Sequence, residues 1–249
     1  MYTVRTTCRS ARALGAVLLF AAAPLAGQQE DRAYAQARAA MVEEVHAYAR
    51  AARESEAGFD PNVMHALGKV PRHEFVPDGQ KRFAYENRPL SIGHGQTISQ
   101  PYIVALMTDL SEPQPDDTVL EVGTGSGYQA AIFSELVRSV YSIEIIKPLA
   151  DEAKKRLERL GYSNVSTRLA DGYYGWEEHA PFDAIVVTAA VSHVPPPLIN
   201  QLKPGGRMVI PVGGRFLTQQ LLLIEKTENE EIITKQIAAV RFVPLTGER

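Results

Sequence analysis

The sequence holds a single cysteine, Cys8. One thiol can form neither an intramolecular disulfide nor a thiolate metal cluster, and no metal site is expected. A dominant charge is also missing: Lys and Arg number 26 against 29 Asp and Glu, a net charge of -3. A chain without a broad basic field is poorly suited to nucleic acid, so no nucleic-acid partner is expected. Internal repeats and low-complexity linkers are absent. No apolar run reaches the ~20 residues that a membrane span needs. What remains is ordinary globular composition, 45% hydrophobic and 22% charged over 249 residues, enough for one α/β domain with a buried core.

The N-terminus differs from the rest. Arg5, Arg9 and Arg12 are the only charges before Glu30, and they precede an apolar run over residues 13–23 that ends in small residues. A basic start, a short apolar stretch and small residues describe a secretory signal peptide. Residues 1–27 therefore read as a leader cut near Ala26 or Gly27, which implies an exported or periplasmic protein; if the leader does not act, the chain is cytoplasmic. Its removal takes away three arginines and the cysteine. The remaining chain is more acidic, cysteine-free as suits an oxidising compartment, and without stable membrane insertion. Nothing in the pattern sets an oligomeric state.

Residues 33–56 carry Ala37, Met41, Val45 and Tyr48 at helical spacing. Asp60-Pro61 caps and opens a shorter helix with Val63, Met64 and Leu67 on it. Residues 70–100 read as structured loop with short strands, and Pro101 opens a helix to Leu110. From Thr118 strands alternate with helices. Strands are expected at 119–122, 140–144, 165–169, 182–188 and 208–212, the last after a Pro204-Gly205-Gly206 turn. Helices run to about Val137 and to Leu160, the second capped by Gly161. Two more strands, 221–225 and 232–242, flank a polar turn. Such alternation implies an α/β, doubly wound, mostly parallel sheet with right-handed crossovers, preceded by a helical extension and followed by antiparallel strands. Residues 28–117 form the extension and 118–249 the core, 28–249 being one compact unit.

In such a sheet the ligand sits beyond the carboxyl ends of the strands. There the chain reads Glu121-Val122-Gly123-Thr124-Gly125-Ser126-Gly127-Tyr128. Glycines let the backbone turn sharply and approach a ligand, and the helix that follows offers free N–H groups. A dinucleotide fingerprint wants glycine at 128, where tyrosine stands. The tight Gly-x-Gly-x-Gly turn suits a nucleoside without phosphates, and Glu121 can meet a cationic amino group. Glu144 ends the second strand, where an acid can accept both ribose hydroxyls. Asp171-Gly172, after the third strand, can meet an adenine edge. Against these stand plainer roles: Glu121 as a buried partner, Asp171 as a turn acid.

Together these features resemble the class I S-adenosylmethionine-dependent methyltransferases. More narrowly, residues 60–247 resemble the protein-L-isoaspartate O-methyltransferase family, in Val70-Pro-Arg-His-Glu-Phe-Val-Pro77, Gly93-His-Gly-Gln-Thr-Ile-Ser-Gln-Pro101, the glycine loop, Gln201-Leu-Lys-Pro-Gly-Gly-Arg207 and Val240-Arg-Phe-Val-Pro-Leu245. The Gly-Gln-Thr-Ile-Ser-Gln-Pro segment is the specific one. Two departures are Ala170, where the family has glycine, and the leader-like start.

The resemblance implies a Rossmann-like fold and methyl transfer from S-adenosylmethionine to the α-carboxyl of L-isoaspartyl residues in damaged proteins and peptides, initiating repair through a succinimide. It assigns Ser99 to hold the substrate carboxylate, with Gln96, Thr97 and Ile98 as the wall beside the methyl donor and Val243 lining the peptide groove. It assigns Glu121, Gly123, Thr124, Gly125, Ser126, Gly127, Glu144, Asp171, Gly172 and Gln220 to the cofactor. An isoaspartyl carboxylate is already ionised at neutral pH, so the reaction needs positioning more than a base. That accords with the lack of a His–Asp pair near the loop. The spacing of Ser99 before Pro101 also fits a helix cap. The alternatives are a methyltransferase for another substrate and a non-catalytic S-adenosylmethionine-binding envelope protein.

Overall fold

The computed structural model describes residues 2–3, 22–53, 58–214 and 217–247. They fall into two compact units, Met1–Gln36 and Ala37–Arg249. Most of the leader-like segment lies outside the described residues. The first helix, α1 (Ala22–Arg53), begins before the expected position and covers both suggested cleavage points. Where it belongs to the larger unit, Met41, Val45 and Ala49 are buried along one stripe.

The second helix, α2 (Pro61–Lys69), starts as read: Asp60 Oδ1 accepts from Asn62 N at 2.7 Å and Pro61 occupies the first turn. Two 3₁₀ turns follow, Arg72–Phe75 and Asp78–Phe83. A small antiparallel hairpin pairs β1 (Leu90–Gly93) with β2 (Gln96–Ile98). Its two-residue turn has His94 at φ 53° and Gly95 at φ 72°, the left-handed pair of a type I′ hairpin. Helix α3 (Pro101–Leu110) comes next and packs on α2.

The main sheet has seven strands: β3 (Thr118–Val122), β4 (Ser139–Glu144), β5 (Val165–Leu169), β6 (Phe182–Val187), β7 (Leu202–Val212), β8 (Gln219–Lys226) and β9 (Ile232–Val240). Their order is β5-β4-β3-β6-β7-β8-β9. The first five are parallel, and β7-β8-β9 is antiparallel. The chain runs outward from β3 to β5, then returns to β6 on the other side. The gap between β3 and β6 is therefore the topological switch point. Val119, Leu120, Val122, Ile185 and Val187 fill the sheet's centre and are fully buried.

Two boundaries in the core moved most. Helix α4 (Tyr128–Ser134) stops short of Val137, because Asn164 Nδ2 donates to the carbonyls of Ser134 at 3.0 Å and Val137 at 3.1 Å and so caps the end from another element. Helix α5 (Lys147–Leu160) ends at Gly161, φ 84°, as expected. Strand β7 begins before the expected turn: Pro204-Gly205-Gly206 survives as a register shift within it, between the pairs Phe182–Leu202 and Ala184–Arg207. The last helix, α6 (Pro196–Gln201), is short.

Candidate active site

Strand β3 delivers the glycine loop to the switch point. Gly123, Gly125 and Gly127 all hold positive φ, at 101°, 53° and 87°, which a side chain would resist. Gly123 N and Thr124 N donate to the Ile143 carbonyl at 2.8 and 3.1 Å. Gly125 N donates to Glu144 Oε2 at 2.8 Å, while Ile145 N and Ile146 N donate to its Oε1 at 2.9 and 2.8 Å. Three backbone donors thus hold the Glu144 carboxylate at the end of β4, on the cavity wall. Arg156 Nη1, from α5, donates to Ser126 O at 2.8 Å and braces the far side of the loop.

Glu121 lies beneath. It is fully buried, Ser142 Oγ donates to its Oε2, and Thr124 Oγ1 meets Ser142 Oγ at 2.5 Å. Its Oε1 has no hydrogen-bond partner among the described residues. Burial pushes the carboxyl up to about 8, with the charge of Glu144 adding to the rise. A buried acid with one uncommitted oxygen on a cavity wall suits a cationic amino group, which would draw it into its ionised form.

The cavity encloses about 730 Å³ including its mouth. Its walls include Gln96, Thr97, Ile98 and Ser99, Glu121 with residues 123–126, Glu144, Gly172, and Val243 with the three residues after it. The type I′ turn sets the hairpin's register, so Thr97 is exposed and Ile98 buried. Ile92 of the same hairpin packs on the loop, since a methyl built on Gly125 would meet its Cδ1 at 3.4 Å. A second groove, also about 730 Å³ including its mouth, opens between Pro89, Ile103 and residues 239–243. Thr97, Ser99, Thr188 and Val243 line both spaces. They form a shared partition.

Ser99 is not a helix cap. The N-cap of α3 is Gln100 and makes no side-chain cap bond. The Ser99 hydroxyl has no hydrogen bond among the described residues, while the Ser99 carbonyl accepts from Arg72 Nη2 at 2.7 Å. Val243 is held by its backbone: Ala190 N donates to Val243 O at 2.8 Å, and Leu245 N to Ala190 O at 2.7 Å.

Most sequence-derived site residues converge here, with three exceptions. Gln220 points outward, exposed and outside the cavity wall. Its neighbour Gln219 is buried and accepts from Phe242 N at 2.9 Å. Strand alternation decides between them, and the assignment of Gln220 to the cofactor is corrected accordingly. Asp171 stands beside the cavity, where its Oδ1 accepts from Tyr173 N at 2.9 Å and caps a 3₁₀ turn. Gly127 faces away, against Leu157. Sequence reading missed Thr188, Gln219 and Arg72. Thr188 follows the strand next to the glycine strand and Arg72 lies in the family-like segment Val70–Pro77, so both had a signal; Gln219 acts through a nonlocal contact and had none.

No helix among the described residues is long and apolar enough to cross a membrane. A family profile described as Protein-L-isoaspartate(D-aspartate) O-methyltransferase matches residues 45–249, beginning earlier than the sequence motifs suggested. Protein-L-isoaspartate O-methyltransferase 1 of Cupriavidus necator is 66% identical over 220 residues, covering 88% of this chain and 85% of the relative. Protein-L-isoaspartate O-methyltransferase 2 of Syntrophobacter fumaroxidans is 61% identical over 233 residues, covering 93% and 94%. Among solved structures, a protein-L-isoaspartate O-methyltransferase superimposes with a TM-score of 0.73 at 30% identity, covering 83% of this chain and 66% of its own length. A Plasmodium falciparum chain described as a beta-aspartate methyltransferase, in complex with S-adenosyl-L-homocysteine, gives 0.69 at 25% identity, covering 84% and 98%.

Proposed function

The chain belongs to the protein-L-isoaspartate(D-aspartate) O-methyltransferase family, and from that premise we propose a residue-level account of methyl transfer to the α-carboxylate of L-isoaspartyl residues. S-adenosylmethionine supplies the methyl group on a sulfonium, which needs no activation. The glycine loop and Glu144 fit its nucleoside, with Glu144 presenting a fixed carboxylate to ribose hydroxyls and Gly172 lying toward the adenine. The uncommitted Oε1 of Glu121 fits its amino group. In this reading residues 28–117 are the substrate-binding extension and 118–249 the cofactor-binding core.

The observation that carries the account is the shared partition of Thr97, Ser99, Thr188 and Val243 between cavity and groove. A peptide in the outer groove meets the methyl donor only across that wall. Ser99 offers a free hydroxyl to one oxygen of the substrate carboxylate, leaving the other aimed inward. Gln96, Thr97 and Ile98 hold peptide and donor at reacting distance and keep water from the path. The inward carboxylate oxygen would then face the electrophilic methyl group that the sulfonium would supply, held there by the glycine loop and Glu144. Opposite charges neutralise, so a dry site favours the step. The ester then closes to a succinimide without further help from the protein, releasing methanol and opening partly to normal aspartate. Arg241 is the one charged residue lining the outer groove among the described residues, which supports a peptide occupant over a polyanion.

The leader-like pattern of residues 1–27 supports export. Sequencing the N-terminus of the mature protein tests this, and an intact Met1 would refute it. Catalysis is tested with labelled S-adenosylmethionine and two peptides differing only in isoaspartate against aspartate. Label on the isoaspartyl peptide alone, lost at mildly alkaline pH as an ester is, is the expected result. Label on neither peptide, with cofactor bound, would remove the substrate assignment.

A further inference from the structure

Arg72 is fully buried, and among the described residues no carboxylate pairs with it. It comes from the 3₁₀ turn Arg72–Phe75. Its Nε donates to Ala84 O at 2.8 Å and its Nη2 to Ser99 O at 2.7 Å. The guanidinium carbon lies 4.8 Å from the ring centre of Tyr128, the residue that follows the glycine loop and lines the cofactor cavity. Nη1 has no hydrogen bond among the described residues. Burial lowers the group to about 10, so it stays cationic at neutral pH.

Burying a cation without a counter-charge is costly. A neutral donor would satisfy one inward-facing carbonyl more cheaply. What only the guanidinium fork supplies is two directed donors in one rigid plane, with a flat face left to stack on an aromatic ring. Here the fork ties three segments together: the end of the second 3₁₀ turn at Ala84, the serine segment at Ser99, and the start of α4 at Tyr128. The Ser99 hydroxyl has no bond of its own, so the direction it points is set through its backbone.

We propose that Arg72 is the positioning residue for substrate capture, fixing the Ser99 peptide so that its hydroxyl meets the carboxylate at the height of the methyl donor. This rests on the role given to Ser99 above. The directed hydrogen bond goes to the serine segment, and only the guanidinium face lies toward the cofactor cavity, at Tyr128. Losing the fork while keeping a cation therefore affects the peptide's KM and kcat/KM more than it changes cofactor affinity.

The test is a double-mutant cycle in the full chain with Arg72→Lys and Ser99→Ala, plus Arg72→Gln in case lysine distorts the pocket. Binding of S-adenosylhomocysteine serves as the folding control. Arg72→Lys keeps the charge but replaces the rigid two-nitrogen fork with a single nitrogen. It is expected to leave that affinity within about twofold and to lower kcat/KM for an isoaspartyl peptide by about tenfold or more, chiefly through KM. In the Ser99→Ala background the same change should cost about twofold or less, because the group it positions is gone. Equal losses in both backgrounds, or a matching loss of S-adenosylhomocysteine affinity in both Arg72 variants, would show a general structural role and overturn the proposal. Wild-type kinetics in Arg72→Lys would overturn it too. If Ser99→Ala itself retains wild-type kinetics, the fault lies with the Ser99 assignment, and the Arg72 proposal falls with it.

Discussion

Thr188 Oγ1 donates to the Gly123 carbonyl at 2.6 Å, closing the gap between β6 and β3 where the sheet's winding reverses. The same hydroxyl lies 3.1 Å from Val122 O. Thr188 also lines both the cofactor cavity and the peptide groove. One side chain thus holds the turn of the glycine loop and forms part of the wall between cavity and groove.

Thr188→Val keeps the shape and removes the donor, leaving the Gly123 carbonyl short of a partner at a cost of ~1–3 kcal/mol, while Val122 O keeps the Thr188 N–H. Thr188→Ser should recover most of the loss. Gly123→Ala is harsher, because φ is 101° and the new methyl would sit 2.5 Å from Thr188 Oγ1. Titration calorimetry with S-adenosylhomocysteine should rank affinity as wild type, then Thr188→Ser, Thr188→Val and Gly123→Ala. Wild-type affinity in Gly123→Ala would mean the loop does not hold the cofactor.

Glu144 accepts three backbone N–H groups. Glutamine offers one acceptor oxygen and turns an N–H₂ toward existing donors. Glu144→Gln should weaken S-adenosylhomocysteine binding by about 10–100-fold, the worth of charge-assisted hydrogen bonds, and should lower the melting temperature. An unchanged affinity would remove Glu144 from the ribose site.

Glu121 makes stability depend on pH. Its carboxyl ionises near 4.5 when unfolded and at about 8 when folded, chiefly through burial. Between those values the folded state keeps a proton that the unfolded state has released. Its contribution is therefore free of penalty below about 4.5, worsens as pH rises, and levels off above about 8, with a slope of at most ~1.4 kcal/mol per pH unit. Urea midpoints measured across that window should fall less steeply for Glu121→Gln. An amino group bound at Oε1 favours ionisation, so S-adenosylhomocysteine binding near pH 7 should release a proton, seen as a dependence of binding heat on buffer. Parallel pH slopes for variant and wild type would refute the assignment of the buried proton to Glu121.

Gln219 and Gln220 are neighbours with opposite consequences. Gln219→Ala removes the acceptor for Phe242 N and loosens the segment that carries Val243, so peptide KM should rise several-fold. Gln220→Ala, on the exposed face, should change neither cofactor affinity nor KM. A cofactor defect in Gln220→Ala alone would restore its place in the site.

Much of this was legible in advance because the signals are local. Glycine at 123, 125 and 127 meets positive φ, Pro61 and Pro101 open helices, and Gly161 closes one. Each depends on a few neighbouring residues. Alternating strands and helices with right-handed crossovers leave few topologies, so the parallel sheet followed. The end of α4 was not legible, because Asn164 caps it from a distant turn.

By itself, then, the sequence determined the strand–helix rhythm, the loop that suits a nucleoside, the acid that ends β4 and the serine segment ahead of the core. Long-range packing settled which side of β8 faces inward, that the Ser99 hydroxyl stays uncommitted, and that Arg72 lies beneath that serine. Dihedral preference and period act within a few residues of the chain. Which face of a strand is buried depends on register, where one residue of slip exchanges inside for outside, and a buried guanidinium finds its carbonyls only when segments remote in sequence have packed together.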